Sequence, residues 1–244
     1  MPENRFDRYY GGKQEEDSFT PPSEFGTETL KLSGSSDIEK ADARLISIAG
    51  SCRVTDYARC ETFDVSGSLH VGGTVSAHSI SFSGSAEIGG GLRCISAETS
   101  GSCRINGASM VGDKMHASGS ISFEGGLRCG ELTAEGHIRM PSLNAELVKI
   151  DGVGSIGTIT CAGADINSGR AKNTWLKLMS GRSQELKVET MTVDNAATLG
   201  ACNIAELTTG SARLIKGCRI GTLRYRDSYD AEDGSTIGNA IKID

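Results

Sequence analysis

The fold is decided by three similar stretches: GSLHVGGTVSA at residues 67–77, GSAEIGGGLRC at 84–94 and GSISFEGGLRC at 119–129. In each stretch small or apolar residues stand two apart, and the phrase returns along the chain every 16 to 18 residues. A period this short is typical of a β-solenoid and is too short for repeats built from pairs of helices. The phrase opens at Gly34, Gly50, Gly67, Gly84, Gly101, Gly119, Gly136 and Gly154.

Each repeat carries three pairs of apolar or small residues, at coil positions 3 and 5, 9 and 11, and 14 and 16. Two residues that stand two apart on a strand share one face, so each pair predicts a short strand facing inward. The sequence therefore predicts an all-β fold, a single-stranded triangular parallel β-helix with about 17 residues per coil. In the coil from Gly67 the pairs are Leu69 and Val71, Val75 and Ala77, and Ile80 and Phe82.

The corners and the handedness follow from the same alignment. Glycines stand between the first and second strands, where we expect sharp turns with φ > 0, a conformation that glycine adopts without steric cost. The spacings between pairs run 6, 5 and 6, whereas left-handed hexapeptide helices need three equal sixes, so we expect a right-handed helix. The corner glycines are Gly72–Gly73, Gly89–Gly91 and Gly125–Gly126.

The repeat also divides the chain. Residues 1–27 show no periodic apolar pattern and contain Pro21 and Pro22, which predicts a disordered N-terminal tail. A first stack of coils is predicted over 28–168 and a second over 186–244. Between them, 169–185 breaks the pattern and is interpreted as an irregular insertion or a junction between the stacks.

Charge and hydropathy narrow the classes of function. A formal net charge of -6 argues against nucleic acid as the main partner, because phosphate binding needs a cationic surface. No stretch has the roughly 20 apolar residues of a membrane span, and the N-terminus lacks the apolar segment of a secretory signal. We therefore expect a cytoplasmic protein, and leave open a location at the inner face of the cell membrane.

The cysteines are interpreted as buried core residues. The chain has eight, with no C-x-x-C pair and no histidine cluster beside them. Cys94 and Cys129 share a face but lie two coils apart, about 10 Å, which is too far for a disulfide. We expect no metal site. The inward positions hold Cys52 and Cys103 at position 3, and Cys60, Cys94 and Cys129 at position 11.

Catalysis and cofactor binding are not expected. Residues 152–157, GVGSIG, match a dinucleotide-binding fingerprint, but a strand-like segment follows where a helix is needed. His70, His78, His116 and His137 have neither metal-ligand spacing nor a nucleophile motif beside them. A hexapeptide-repeat acyltransferase is the enzymatic alternative, and it would need strict sixes and a histidine on a loop.

Two surfaces are candidates for binding. The first is a basic stripe of outward arginines, either a face for an acidic partner or lipid headgroups or simply a solvated face. The second is the pair of coil ends, where unpaired backbone groups surround an apolar core. The stripe consists of Arg53, Arg59, Arg93, Arg104 and Arg128, and the end residues, a candidate polymer interface, are Leu30, Leu32, Ile237, Ile241 and Ile243.

The phrase G-S-x-x-[IV]-x-G-x-[LV]-x-[AC] resembles that of the bactofilins, bacterial polymer-forming cytoskeletal proteins, most clearly over 34–150 and again at 210–225. The resemblance implies a right-handed triangular β-helix that assembles end to end into filaments without nucleotide. It also implies a scaffold for cell shape, envelope or motility processes, with itself as main partner, other proteins or a peripheral membrane contact besides. A β-helical binding scaffold that does not polymerise is the other alternative.

Overall fold

The computed structural model describes residues 24–168, 185–215 and 217–244, and these form one parallel sheet of eleven strands paired in chain order. The described residues contain no helix. The strands are β1 Thr29–Ile38, β2 Ala41–Val54, β3 Ala58–Val71, β4 Val75–Ile88, β5 Leu92–Ile105, β6 Ser109–Phe123, β7 Leu127–Asn167, β8 Leu186–Gly200, β9 Cys202–Leu214, β10 Arg219–Ala231 and β11 Thr236–Lys242.

The strands wind as a solenoid of about 12 turns with about 17 residues per turn, which confirms the predicted β-helix. Each residue pairs with the equivalent residue of the next turn: Ala58 of β3 lies beside Val75 of β4, which lies beside Leu92 of β5. Equal positions therefore form rows along the rod, about 4.8 Å from one turn to the next. We call each turn a rung.

The core lies where the paired positions place it. All six predicted residues of the rung from Gly67 are at most 4% exposed, and Cys94 and Leu127, which test the alignment most directly, are 0% and 3% exposed. The rung contains two aromatic residues of the core: the rings of Phe63 and Phe82 meet edge to face with centroids 5.7 Å apart. Burial at these alternating positions fixes the register, since a slip of one residue would turn every pair outward.

The predicted positive φ at the inter-strand glycines is wrong for all but Gly126. Positive φ occurs instead at the glycines that open each phrase, such as Gly84 with φ of 125°. The inter-strand glycines are required by close stacking: a Cβ on Gly89 would overlap the carbonyl oxygen of Gly72 one rung below. The prediction assigned to conformation what is a matter of space.

The alignment also shifts near the end of the first stack. Gly154 was predicted to open a rung, but a Cβ built on Gly152 is the one that would overlap Gly136. Gly154 stacks on Ile138 and pairs with Leu186. The rung above Gly136 is therefore one to two residues shorter than the regular period predicts.

The two predicted stacks share one sheet. β8 pairs directly with β7, from Gly154 beside Leu186 to Asn167 beside Gly200, a step of 32 or 33 positions along the chain. Residues 169–184 of the predicted insertion lie outside the described residues, as do residues 1–23 of the predicted tail. Of that tail, Gly26 is described, and its amide donates a 2.8 Å hydrogen bond to Asp42 Oδ1 of β2.

Candidate interaction surfaces

The N-terminal end of the rod presents a half-buried apolar rung. β1 pairs only with β2 among the described strands, so its other edge has no strand partner there. Leu30 lies beside Ile46 and Leu32 beside Ile48, and both leucines pack against the core while remaining partly exposed. The structure therefore brings these two predicted interface residues together on the inward face of the terminal rung.

At the C-terminal end the structure separates the three predicted isoleucines. Ile237 lies beside the buried Ile220 and packs, partly exposed, against the core. Ile241 lies beside Arg224, in an outward row, and is 38% exposed. Ile243 is half-buried and its amide donates a 2.9 Å hydrogen bond to the carbonyl of Tyr225. Of the three, Ile237 occupies an inward row of the core.

Both terminal strands have hydrogen-bonding groups that face along the rod axis. β11 pairs with β10 alone among the described strands, as β1 pairs with β2 alone. A further parallel strand could extend either ladder and cover the apolar residues beneath it. The two ends can therefore accept another strand.

The five arginines of the predicted stripe lie in two different rows. Arg53 and Arg104 share one row, but His70 and Glu87 stand between them, with His70 Nδ1 3.3 Å from Glu87 Oε2. The second row places Arg59, Arg93 and Arg128 on every second rung. The five side chains do not form one continuous stripe.

Arg59 is also engaged by an acid. Its guanidinium lies 2.5 Å from Asp42 Oδ2 on the rung below. The hydrogen bond from Arg59 lowers the pKa of Asp42, and the same bond raises the pKa of Arg59. Both side chains are more than a quarter exposed, so the pair contributes little stability.

A different row carries cations without acids. From β5 to β11 the outward row that contains Arg104 holds a cation on every second rung, with Ser122, Ser155 and Asn203 between them. We call this the cation row. Its cations are Arg104, Arg139, Lys187 and Arg219.

Sequence reasoning missed the cation row because its period is interrupted. Ser155 and Lys187 are neighbours in the sheet but 32 residues apart in sequence, since 169–184 intervene. A fixed period of about 17 residues cannot align them. Of the four cations, Arg219 has an ion pair, at 3.5 Å from Glu185.

A groove runs beside the cation row. It has a volume of about 590 Å³, with Arg139 and Lys187 on one wall and Glu124 and Glu189 on the other. Pro141 is among the lining residues, and Gly157 stacks on it without a side chain, which opens the groove at this corner.

The cysteines lie in the core, as predicted. Cys60, Cys94 and Cys129 are each 0% exposed and occupy alternate rungs, separated by Ala77 and Val111. Burial raises the pKa of Cys94 to about 12. Across the described residues, no group of three or more histidine, cysteine, aspartate or glutamate side chains could hold a metal ion.

The GVGSIG stretch lies within β7, so the strand continues where a dinucleotide fingerprint would need a helix. Within the described ranges no helix has the length and apolar character to cross a membrane. The sequence matches no protein-family model, and no curated protein or solved structure resembles the chain closely enough to count as a match.

Proposed function

We propose that this protein is a structural, cytoskeleton-like protein that assembles end to end into filaments through its two terminal rungs and needs no nucleotide. The observation that carries the proposal is that both terminal strands keep one edge without a strand partner over a partly exposed apolar rung. The resemblance of its repeats to those of the bactofilins supports the same function, a scaffold in the cytoplasm or at the inner face of the membrane.

The physical argument concerns the ends and not the sides. Along the rod every interior strand pairs on both edges, so its backbone groups are satisfied. At the ends, docking of a second copy would continue the ladder and bury Leu30, Leu32 and Ile237. Removal of these apolar residues from water favours association, opposed by the entropy cost of joining two molecules.

The experiment compares two aspartate substitutions on one strand. In I237D the charge enters an inward row of β11, whereas in I241D it enters an outward row of the same strand. We expect wild-type and I241D chains to form filaments in negative-stain electron microscopy, and I237D to sediment as short species. L32D tests the opposite end in the same way.

Circular dichroism establishes that each variant keeps its β structure. Wild-type protein that stays monodisperse at every salt concentration would refute the proposal. Filaments formed equally by I237D and L32D would also refute it, because the apolar terminal rungs would then have no part in assembly.

The cation row favours a second candidate function, a scaffold that binds an extended polyanion. Its four cations repeat every second rung, about 10 Å apart, and none of the row positions between them is acidic. Binding to polyphosphate, measured by fluorescence anisotropy, should weaken in R139Q/K187Q. It should persist in R53Q/R93Q, which removes the same charge elsewhere. Equal loss in both variants would indicate attraction without a specific surface.

A further inference from the structure

Cys202 and Cys218 are the closest pair of cysteines that the structure presents. Their Sγ atoms are 3.7 Å apart, and both side chains are 0% exposed. Cys202 begins β9 and Cys218 immediately precedes β10, and the pairing of Asn203 with Arg219 places them side by side on adjacent rungs. Adjacent rungs put their Cα atoms about 4.8 Å apart, within the range of a disulfide.

The other buried cysteines provide a contrast. Cys94 and Cys129 occupy one row but lie two rungs apart, with Val111 between them. About 10 Å separates their Cα atoms, beyond the reach of a disulfide. The same rod therefore contains thiols that its geometry keeps apart and one pair that its geometry brings together.

We propose that Cys202 and Cys218 form a reversible disulfide when the protein meets hydrogen peroxide, linking two rungs near the C-terminal end. This inference is independent of filament assembly. It assigns a modification site to the two cysteines and treats the other six as core residues.

The local hydrogen bonds favour Cys218 as the thiol that reacts first. A hydrogen bond from the Cys202 thiol lowers the pKa of Cys218, and the same bond together with burial raises the pKa of Cys202. The thiolate is the reactive form of cysteine. The unequal pair thus provides one nucleophile and one resolving thiol.

The reaction balances in two steps. Cys218 Sγ, as thiolate, attacks one oxygen of hydrogen peroxide, the O–O bond breaks, and the released hydroxide takes up a proton to become water. Cys202 Sγ then attacks the resulting sulfenic acid, forming the S–S bond and breaking the S–O bond, which releases a second water. The two thiols together lose two electrons and two protons, and the peroxide accepts both.

Access comes from the open end of the rod. Cys218 is covered by β11, whose Thr236 amide donates a 2.8 Å hydrogen bond to the Cys218 carbonyl. β11 pairs on one side only among the described strands, and strands of this kind open locally more readily than interior ones. Opening of this last rung would expose Cys218 and leave the interior cysteines buried.

The test counts and locates thiols in the full chain. After mild peroxide treatment of the folded protein, denaturation and alkylation, we expect free thiols to fall from eight to six. Trypsin should release one linked pair of peptides, 188–213 with 217–219, that separates on reduction. C94S should behave like wild type, whereas C202S and C218S should lose the linked pair.

Two outcomes would overturn the proposal. One is that wild-type protein keeps eight alkylatable thiols under peroxide concentrations that oxidise a free thiol in solution. The other is that oxidation stops at a sulfinic acid on Cys218 without a linked peptide. Neither outcome would bear on the filament proposal, whose readout is assembly.

Discussion

Gly84 lies directly on Gly67, and a Cβ atom added to Gly84 would overlap the carbonyl oxygen of Gly67. The same relationship joins Gly101 to Gly84, so a row of glycines forms one corner of the rod. Two requirements coincide at this corner: the rungs stack closely, and φ at Gly84 is 125°, where residues with a Cβ are strained. This row explains why glycine opens each phrase.

Replacement of Gly84 should therefore destabilise the rod strongly. We expect G84A to lose more than about 2 kcal/mol, from the strained φ and the backbone overlap together. Urea denaturation followed by circular dichroism measures the loss. S85A, one residue along at an exposed position, is the matched control and should change stability by less than about 0.5 kcal/mol. Equal stability of the two variants would contradict the account.

The aromatic core offers a second prediction. Phe63 is 0% exposed and packs edge to face on Phe82. F63A should cost about 3–5 kcal/mol, because it removes buried apolar surface and leaves a cavity between rungs. F63L, which fills most of that space, should cost under about 2 kcal/mol in the same urea experiment. A small effect of F63A would show that neighbouring rungs collapse into the space.

An ion-pair ladder on the surface gives a pH-dependent prediction. Glu131 lies 2.8 Å from Lys149 Nζ and 3.6 Å from Lys114 Nζ, on neighbouring rungs. The hydrogen bond from Lys149 lowers the pKa of Glu131 in the folded protein. Its stabilisation is therefore present above the ordinary carboxyl pKa of about 4.3 and is lost as pH falls through the lowered value.

E131Q should accordingly be less stable than wild type at pH 7 by up to about 1 kcal/mol, since all three side chains are partly solvated. The difference should shrink with added salt and vanish once acid has protonated Glu131. E98Q is the control, since Glu98 is exposed and has no ion pair within the described part of the chain. A wild-type advantage that grows in acid would have the wrong sign.

The isolated cysteines should be unreactive in the folded protein. Burial raises the pKa of Cys94 and Cys103 to about 12, so almost no thiolate exists at pH 8. Iodoacetamide at pH 8 should leave both unmodified in native protein and modify both in urea, as peptide mapping can show. Rapid native labelling of Cys94 would mean that the rung does not stay closed.

Much of the fold could be predicted because period and burial coincide. Leu69 and Val71 stand two apart, and so do their equivalents one rung later, Ala86 and Ile88, and all four are buried. Such agreement fixes both the strands and their register. The end residues were only partly predictable: Ile237 and Ile241 look alike in sequence, yet one lies in an inward row and the other in an outward row.

The sequence by itself determined the coil, its length and its inward residues, because a repeated alternation of apolar and polar residues has one way to bury its apolar face. Only the tertiary structure decided which distant residues become neighbours. Lys187 joins Ser155 in the cation row across 32 positions, and Cys202 meets Cys218 because two slightly shorter rungs bring them into register. Such proximities depend on the local length of each rung, and an average period does not contain that information.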